Sequence, residues 1–259
     1  MKKIALVTGA TAGIGKATAE ILACNGYNLI ITGRRKTILN ELKGELGVKF
    51  KCDVLALNFD IRNRESTETA IDKLPASWKK ISVLVNNAGL AAGLSPIQDG
   101  WVDDWDQMID TNVKGLLYIT RKVAPLMVEA GSGHIINITS IAAKEVYENG
   151  NVYCATKHAV DALTKGMRID LLKHNIKVTS IAPGMVNTEF SLVRFKGDKN
   201  RADKVYEGLV PLNADDVAEA IWFAVSRPPH VNINDLLIMP TAQATITATY
   251  RKESNEVKR

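Results

Sequence analysis

Short apolar runs rich in branched residues recur along this chain. They are KIALVT (3–8), NLIIT (28–32), VLALNFD (54–60), ISVLVNNAG (81–89), HIINITS (134–140), IKVTSIAPG (176–184) and DLLIMP (235–240). Each has the length of a strand and is largely apolar at successive positions, the pattern of a strand covered on both faces of a parallel sheet. Stretches with helical spacing lie between them: KATAEILACNG, KTILNELKGEL, RNRESTETAIDKL, the segment 101–130, the segment 151–174 and ADDVAEAIWFAVS (214–226). Asn25-Gly26 stops the first of these, and Pro75 stands just beyond the third. Strands that alternate with helices from end to end predict a single Rossmann-type α/β domain over 1–259, with a doubly wound parallel sheet of about seven strands and right-handed crossovers. The stretch 185–210 has no clear period and is expected to be a substrate loop. The polar tail 241–259, ending RKESNEVKR, is expected to be mobile at its tip.

A hydrophobic share of 46% and a charged share of 24% supply an ordinary core and surface. The net charge of +5 is mildly basic, but there is no arginine-rich run and no zinc-finger spacing. That favours anionic small molecules over nucleic acid as partners. Cys24, Cys52 and Cys154 are scattered and form no C-x-x-C pair, which suits a reducing cytoplasm. The four histidines lack metal-ligand spacing, so no metal is expected. The apolar run Ile4 to Val7 is shorter than the roughly 7–15 residues of a secretory h-region. No run reaches the roughly 18 apolar residues of a membrane span, and no membrane partner is expected.

In a sheet of this kind ligands bind at the carboxyl ends of the strands. TGATAGIG, with Gly9, Gly13 and Gly15, follows the first strand and opens a helix. Glycines there let the backbone approach a pyrophosphate, and the helix N-terminus offers free N–H groups with a partial positive charge. Gly33-Arg34-Arg35 ends the second strand with two cations and no acid. Arginine at that place pairs with the 2′-phosphate of NADP, where an acid would accept the ribose hydroxyl of NAD. The alternative, two solvated arginines opening a helix, is disfavoured by the glycine-rich turn before them. Tyr153 and Lys157 are four residues apart, on one face of a helix. Lowering a phenol from about 10 to near 7 takes about 4 kcal/mol. An ammonium about 4 Å away supplies that at an effective dielectric of 20, and only about 1 kcal/mol in water. The pair is an acid/base catalyst only in a dry cleft.

TGATAGIG, NNAG, Asn112, Ser140, YCATK and PG, in this order, resemble the short-chain dehydrogenase/reductase family over residues 3–240. Ser140 lies thirteen residues before Tyr153, as in that family. The last third is similar to its NADP-dependent 3-hydroxy acid dehydrogenases, which act on serine and allo-threonine. The resemblance implies an oxidoreductase that interconverts a 3-hydroxy acid and its 3-oxo acid, and a homotetramer. It implies Tyr153 as acid/base, with Lys157 lowering its pKa and holding the nicotinamide ribose. Ser140 would bond the reacting oxygen, and Asn112 would hold a water in the proton relay. Gly9, Gly13 and Gly15 would cradle the pyrophosphate, with Thr11 and Ile14 beside them. Arg34 and Arg35 would meet the 2′-phosphate, and Asp60 and Ile61 the adenine. Asn87, Ala88 and Gly89 would lie on the adenosine side. Pro183, Gly184 and Val186 would border the cofactor, and Thr188 would reach its carboxamide. One departure is the absence of a basic residue within ATA (10–12), where some NADP-dependent members carry one. For the substrate carboxylate Arg194 is the candidate; backbone N–H groups or a residue of another subunit are the alternative. The implied function also has rivals: a broad carbonyl or 3-oxoacyl-thioester reductase, and a non-catalytic NADP-binding sensor, which the full set Asn112, Ser140, Tyr153 and Lys157 disfavours.

Overall fold

The computed structural model describes residues 2–252. Seven strands form one parallel sheet: β1 (Ile4–Val7), β2 (Asn28–Gly33), β3 (Val54–Asn58), β4 (Ile81–Asn86), β5 (Gly133–Ile138), β6 (Ile176–Pro183) and β7 (Asp235–Ile238). Their order is β3-β2-β1-β4-β5-β6-β7. The helices are α1 (Gly13–Cys24), α2 (Lys36–Phe50), α3 (Arg64–Asp72), α4 (Val102–Ile109), α5 (Leu116–Ala130), α6 (Asn151–Asp170), α7 (Phe190–Arg194), α8 (Lys199–Lys204) and α9 (Ala214–Val225).

Side chains alternate across each strand, and both faces of the sheet are covered. Ala5 and Val7 enter one core with Leu22 of α1 and Ile221 of α9, while Ile4 and Leu6 enter the other with Ile119 and Val123 of α5. This double burial is why β1 reads as an unbroken apolar run. Each fully buried Leu or Ile contributes roughly 1.5–3 kcal/mol. The chain winds outward from β1 to β3 and returns to β4 on the other side of β1. The loops after β1 and β4 therefore diverge, and a crevice opens between them.

The apolar runs outlast the strands. β1 stops at Val7, β3 at Asn58, β4 at Asn86 and β5 at Ile138, and the residues beyond them form the loops that carry polar chemistry. The segment 101–130 is helical but not one regular α-helix. A π-helical turn, Asp110–Gly115, separates α4 from α5 and holds Asn112. Such turns re-aim side chains and cluster at functional sites. A Cβ on Gly115 would stand 2.9 Å from Ile61 Cγ2, so this turn presses on the loop after β3. The aperiodic stretch 185–210 contains the short helices α7 and α8. Within the tail, Gln243 Oε1 accepts the Met185 N–H at 2.8 Å and Glu145 Oε2 accepts the Ile246 N–H at 2.8 Å. Lys252 donates its N–H to the Gly208 carbonyl at 2.7 Å. These bonds tie residues 243–252 to the loop and to the segment after β5. The tip expected to be mobile, 253–259, lies outside the described residues. Among those residues no helix is long and apolar enough to cross a membrane.

Candidate active site

A cleft of ≈ 430 Å³ runs along the carboxyl ends of β1, β2, β4, β5 and β6. Its floor is the glycine-rich turn, locked from beneath by two polar side chains. Thr8 Oγ1 accepts the backbone N–H groups of Asn87 and Ala88 at 3.0 Å each and donates to the Val85 carbonyl. Asn87 Nδ2 donates to the Thr8 and Gly9 carbonyls at 2.9 and 3.2 Å. Gly9 sits at φ +67°, and a Cβ on Gly15 would stand 2.3 Å from Gly9 O and 2.4 Å from Asn87 Nδ2. Neither position admits a side chain without moving the turn. Helix α1 begins there with no side-chain cap and no acid in its first turn. Its first N–H groups are left to an anion in the cleft, so this end of the site fits a pyrophosphate.

At the β2 end the cleft is lined by Arg34, Arg35, Asp60 and Ile61. Arg62 holds Asp60 through Nε at 3.0 Å and Nη2 at 2.7 Å. Burial alone would raise the Asp60 carboxyl, but the Arg62 hydrogen bonds outweigh it and hold the carboxyl below its ordinary range. Arg34 lies 3.9 Å from the same carboxylate and is half exposed. Arg35 donates from Nε and Nη2 to Thr11 Oγ1 and from Nη1 to Glu189 Oε2 at 2.9 Å. The single acid of the loop after β3 is thus neutralised beside two guanidiniums. That donor set fits a phosphate on the adenosine ribose.

At the opposite end three side chains converge from two elements. Ser140 follows β5 in extended conformation, and its Oγ accepts the Ala142 N–H at 3.1 Å. Helix α6 stacks Tyr153 and Lys157 one turn apart, both buried. Lys157 Nζ donates to the Ile138 carbonyl at 2.9 Å and lies 5.9 Å from the Tyr153 ring centroid. Burial pushes the Lys157 ammonium down to about 8. Burial also pushes the Tyr153 phenol up, against the charge of Arg194 and a hydrogen bond with Ser140. The offsets to burial come from Arg194 and Ser140, while the Lys157 ammonium is turned to the Ile138 carbonyl. Dry surroundings strengthen an ammonium's pull on a phenolate and also penalise the phenolate itself.

Asn112 braces the site from behind. Its Nδ2 donates to the Leu90 carbonyl at 2.8 Å and to Thr156 Oγ1 at 3.0 Å, and its Oδ1 accepts the Leu90 N–H at 2.8 Å. The side chain holds the loop after β4 to α6.

Most residues expected at the cofactor line the cleft: Gly9, Thr11, Gly13, Ile14, Asn87, Ala88 and Gly89 on one side, and Pro183, Gly184, Val186 and Thr188 on the other. Gly15, Lys157 and Asn112 stand behind this wall rather than in it. Arg194 lies beside Tyr153 but lines a small neighbouring pocket rather than the cleft itself. Its guanidinium lies 5.1 Å from the Tyr153 ring centroid and 5.7 Å from that of Phe190, and Nη2 donates to Tyr147 Oη. Arg194 Nε is buried without a partner. The other cations of that stretch do not join it: Lys196 pairs with Asp104 at 2.9 Å, and Arg201 covers Phe195. Tyr147, Phe190 and Glu189 were not anticipated. No periodicity marks them, since each sits in a loop or a helix of five residues. Among the described residues no three His, Cys, Asp or Glu side chains group as metal ligands.

A family model described as short chain dehydrogenase matches residues 3–198. The NADP-dependent 3-hydroxy acid dehydrogenase YdfG of Salmonella typhi is 50% identical over 242 residues, 93% of this chain and 96% of that protein. Sulfoacetaldehyde reductase 2 of Chromohalobacter salexigens is 44% identical over 245 residues, 94% of this chain and 96% of that protein. Among solved structures, the closed form of a serine dehydrogenase complexed with NADP+ superposes with a TM-score of 0.91 at 47% identity, over 96% of this chain and 100% of that one. A glycine-rich turn under a cleft, a Ser-Tyr-Lys cluster at its far end and agreement of sequence and backbone over nearly the whole length point one way: this chain belongs to the short-chain dehydrogenase family.

Proposed function

We propose that this chain is an NADP-dependent oxidoreductase that interconverts a 3-hydroxy acid, such as serine or allo-threonine, and its 3-oxo acid. The observation that carries this reading is the cleft, with arginines suited to a phosphate at one end and Ser140 and Tyr153 at the other, and with the Arg194 guanidinium 5.1 Å from the Tyr153 ring centroid. The relatives named above add the class of substrate. When bound, NADPH supplies the hydride and its oxidised form accepts one. Everything else falls to the chain. The arginine end of the cleft meets the ribose phosphate, the α1 N-terminus meets the pyrophosphate, and Lys157 holds the nicotinamide ribose. In the reducing direction Ser140 and Tyr153 hydrogen-bond the carbonyl oxygen, and Tyr153 gives up its proton as charge develops there. A phenol kept protonated by burial is poised to donate. Lys157 stabilises the phenolate that remains. Asn112, in the π-helical turn, would hold a water of the proton relay. Arg194 compensates the substrate carboxylate, whose burial without a partner would be costly.

The same reading makes the enzyme a homotetramer in the cytoplasm. Ile109 and Leu117 of the 101–130 segment and Ile169 and Leu172 at the end of the α6 segment are exposed apolar residues available to pair between subunits. The test is an NADP+ reduction screen over serine, both threonine diastereomers and simple 3-hydroxy acids, with acyl thioesters as controls. Turnover confined to thioesters would overturn the substrate class. Tyr153→Phe should cost about 10²–10⁴ in kcat while cofactor still binds. A Tyr153→Phe enzyme that keeps a tenth of the original kcat would place the acid/base elsewhere.

A further inference from the structure

Arg34 and Arg35 are neighbours in sequence with unlike surroundings. The Arg35 guanidinium is engaged on both sides, by Thr11 Oγ1 at 3.2 and 3.0 Å and by Glu189 Oε2 at 2.9 Å. Arg34 makes no side-chain hydrogen bond among the described residues; its charged neighbour Asp60, at 3.9 Å, already belongs to Arg62. One guanidinium is therefore free to grip a phosphate with two parallel bonds, and the other is committed.

What Arg35 is committed to matters. Thr11 belongs to the glycine-rich turn. It can lie against the end of β2 because position 33 is glycine: a Cβ there would come within 2.8 Å of Thr11 Cγ2. Glu189 is the residue on which α7 starts. The first and last residues of α7 are Phe190, edge-on to Tyr153 with ring centroids 5.6 Å apart, and Arg194, 5.1 Å from the Tyr153 ring. The turn and the loop also meet beside this ion pair, since a Cβ on Gly13 would sit 3.2 Å from Thr188 Cβ. Glu189 itself lines the cleft, where a carboxylate left unneutralised would repel an anionic cofactor.

We propose that the two arginines divide the work: Arg34 grips the 2′-phosphate, and Arg35 with Glu189 is a bracket that fastens the start of α7 to the glycine-rich turn and so sets Phe190 and Arg194 over Tyr153. Arg35 and Glu189 are positioning residues, and they act on the substrate end of the cleft from its cofactor end. The Arg34 half rests on the NADP reading given above; the bracket half rests on geometry alone.

The experiment compares the unmodified protein with Arg34→Ala, Arg35→Ala, Glu189→Gln and the swapped pair Arg35→Glu/Glu189→Arg. Calorimetry measures 2′,5′-ADP and 5′-ADP binding, hydrogen exchange follows the amides of 190–196, and steady-state rates are taken with a 3-hydroxy acid. Arg34→Ala should weaken 2′,5′-ADP at least tenfold and leave exchange in 190–196 unchanged. Arg35→Ala should weaken it no more than threefold. Arg35→Ala and Glu189→Gln should both speed exchange in 190–196 and raise KM for the hydroxy acid at least threefold, more than they lower kcat. The swapped pair should restore slow exchange. A loss of 2′,5′-ADP affinity in Arg35→Ala equal to that in Arg34→Ala would overturn the division of work. Unchanged exchange and KM in Glu189→Gln would overturn the bracket. If the unmodified protein binds 2′,5′-ADP and 5′-ADP alike, the NADP reading fails together with the Arg34 half, and the exchange data still decide the bracket.

Discussion

Lys157→Met tests how the acid/base is tuned, because it removes one charge and keeps most of the volume. Lys157 Nζ lies 5.9 Å from the Tyr153 ring centroid. At an effective dielectric of about 20 a unit charge at that distance is worth about 3 kcal/mol to a phenolate, close to a hundredfold in its acid–base equilibrium. Burial already pushes Tyr153 up, so without the ammonium the phenolate should be harder still to form. In the oxidising direction, where Tyr153 must start deprotonated, Lys157→Met should therefore lower kcat by up to about a hundredfold below pH 8, where the parent carries the ammonium, and the two enzymes should converge above it. The ammonium has its own limit. Burial holds Lys157 down to about 8, so its charge is present below that pH and fades above it. In the unmodified enzyme NADPH affinity should weaken as pH rises through about 8, because the ribose-binding ammonium is lost there. In Lys157→Met that dependence should vanish. Two measurements decide: kcat for hydroxy acid oxidation from pH 6 to 10.5, and NADPH binding by fluorescence over the same range. A Lys157→Met enzyme whose kcat profile overlays the parent's would refute the electrostatic role, and a retained loss of NADPH affinity near pH 8 would assign that titration to another group.

Two further outcomes follow from named side chains. Arg194→Ala should lower kcat/KM for a 3-hydroxy acid at least tenfold and leave its uncharged methyl ester little changed, since the guanidinium at the Tyr153 ring has a carboxylate to meet only in the acid; parallel losses would remove Arg194 as the carboxylate partner. His134 is buried, its Nε2 meets Thr179 Oγ1 at 2.8 Å, and burial holds its pKa at about 3. The unfolded chain takes up that proton near 6.5, so stability is full above this pH and falls toward pH 3, by at most about 5 kcal/mol. His134→Gln should flatten this loss in urea melts between pH 6.5 and 4, and an unchanged slope would show that other groups drive it.

The fold was legible because its strands are buried on both faces. Runs such as ALV in β1 and LII in β2 announce themselves without knowledge of what covers them, and the alternation with helical periods fixes a doubly wound sheet. The glycine-rich turn, Ser140 and the Tyr153/Lys157 pair were legible for a related reason. Their function depends on local spacing: a turn that must approach a phosphate needs glycine, and four residues on a helix bring two side chains to one face. What the sequence could not set was whatever depends on the balance among groups from distant segments. Burial, contributed by loops after β4 and β6, decides that Tyr153 is pushed up rather than down. The π-helical turn aims the Asn112 amide at the Leu90 backbone, a contact between separate segments that no local spacing marks. Five-residue α7 carries too little periodicity to be read, yet it brings Arg194 to the phenol while Lys196 turns away to Asp104. Arg34 and Arg35 are indistinguishable as letters. Only the tertiary structure separates them, because the partner that occupies Arg35 lies 154 positions away in the chain, on Glu189.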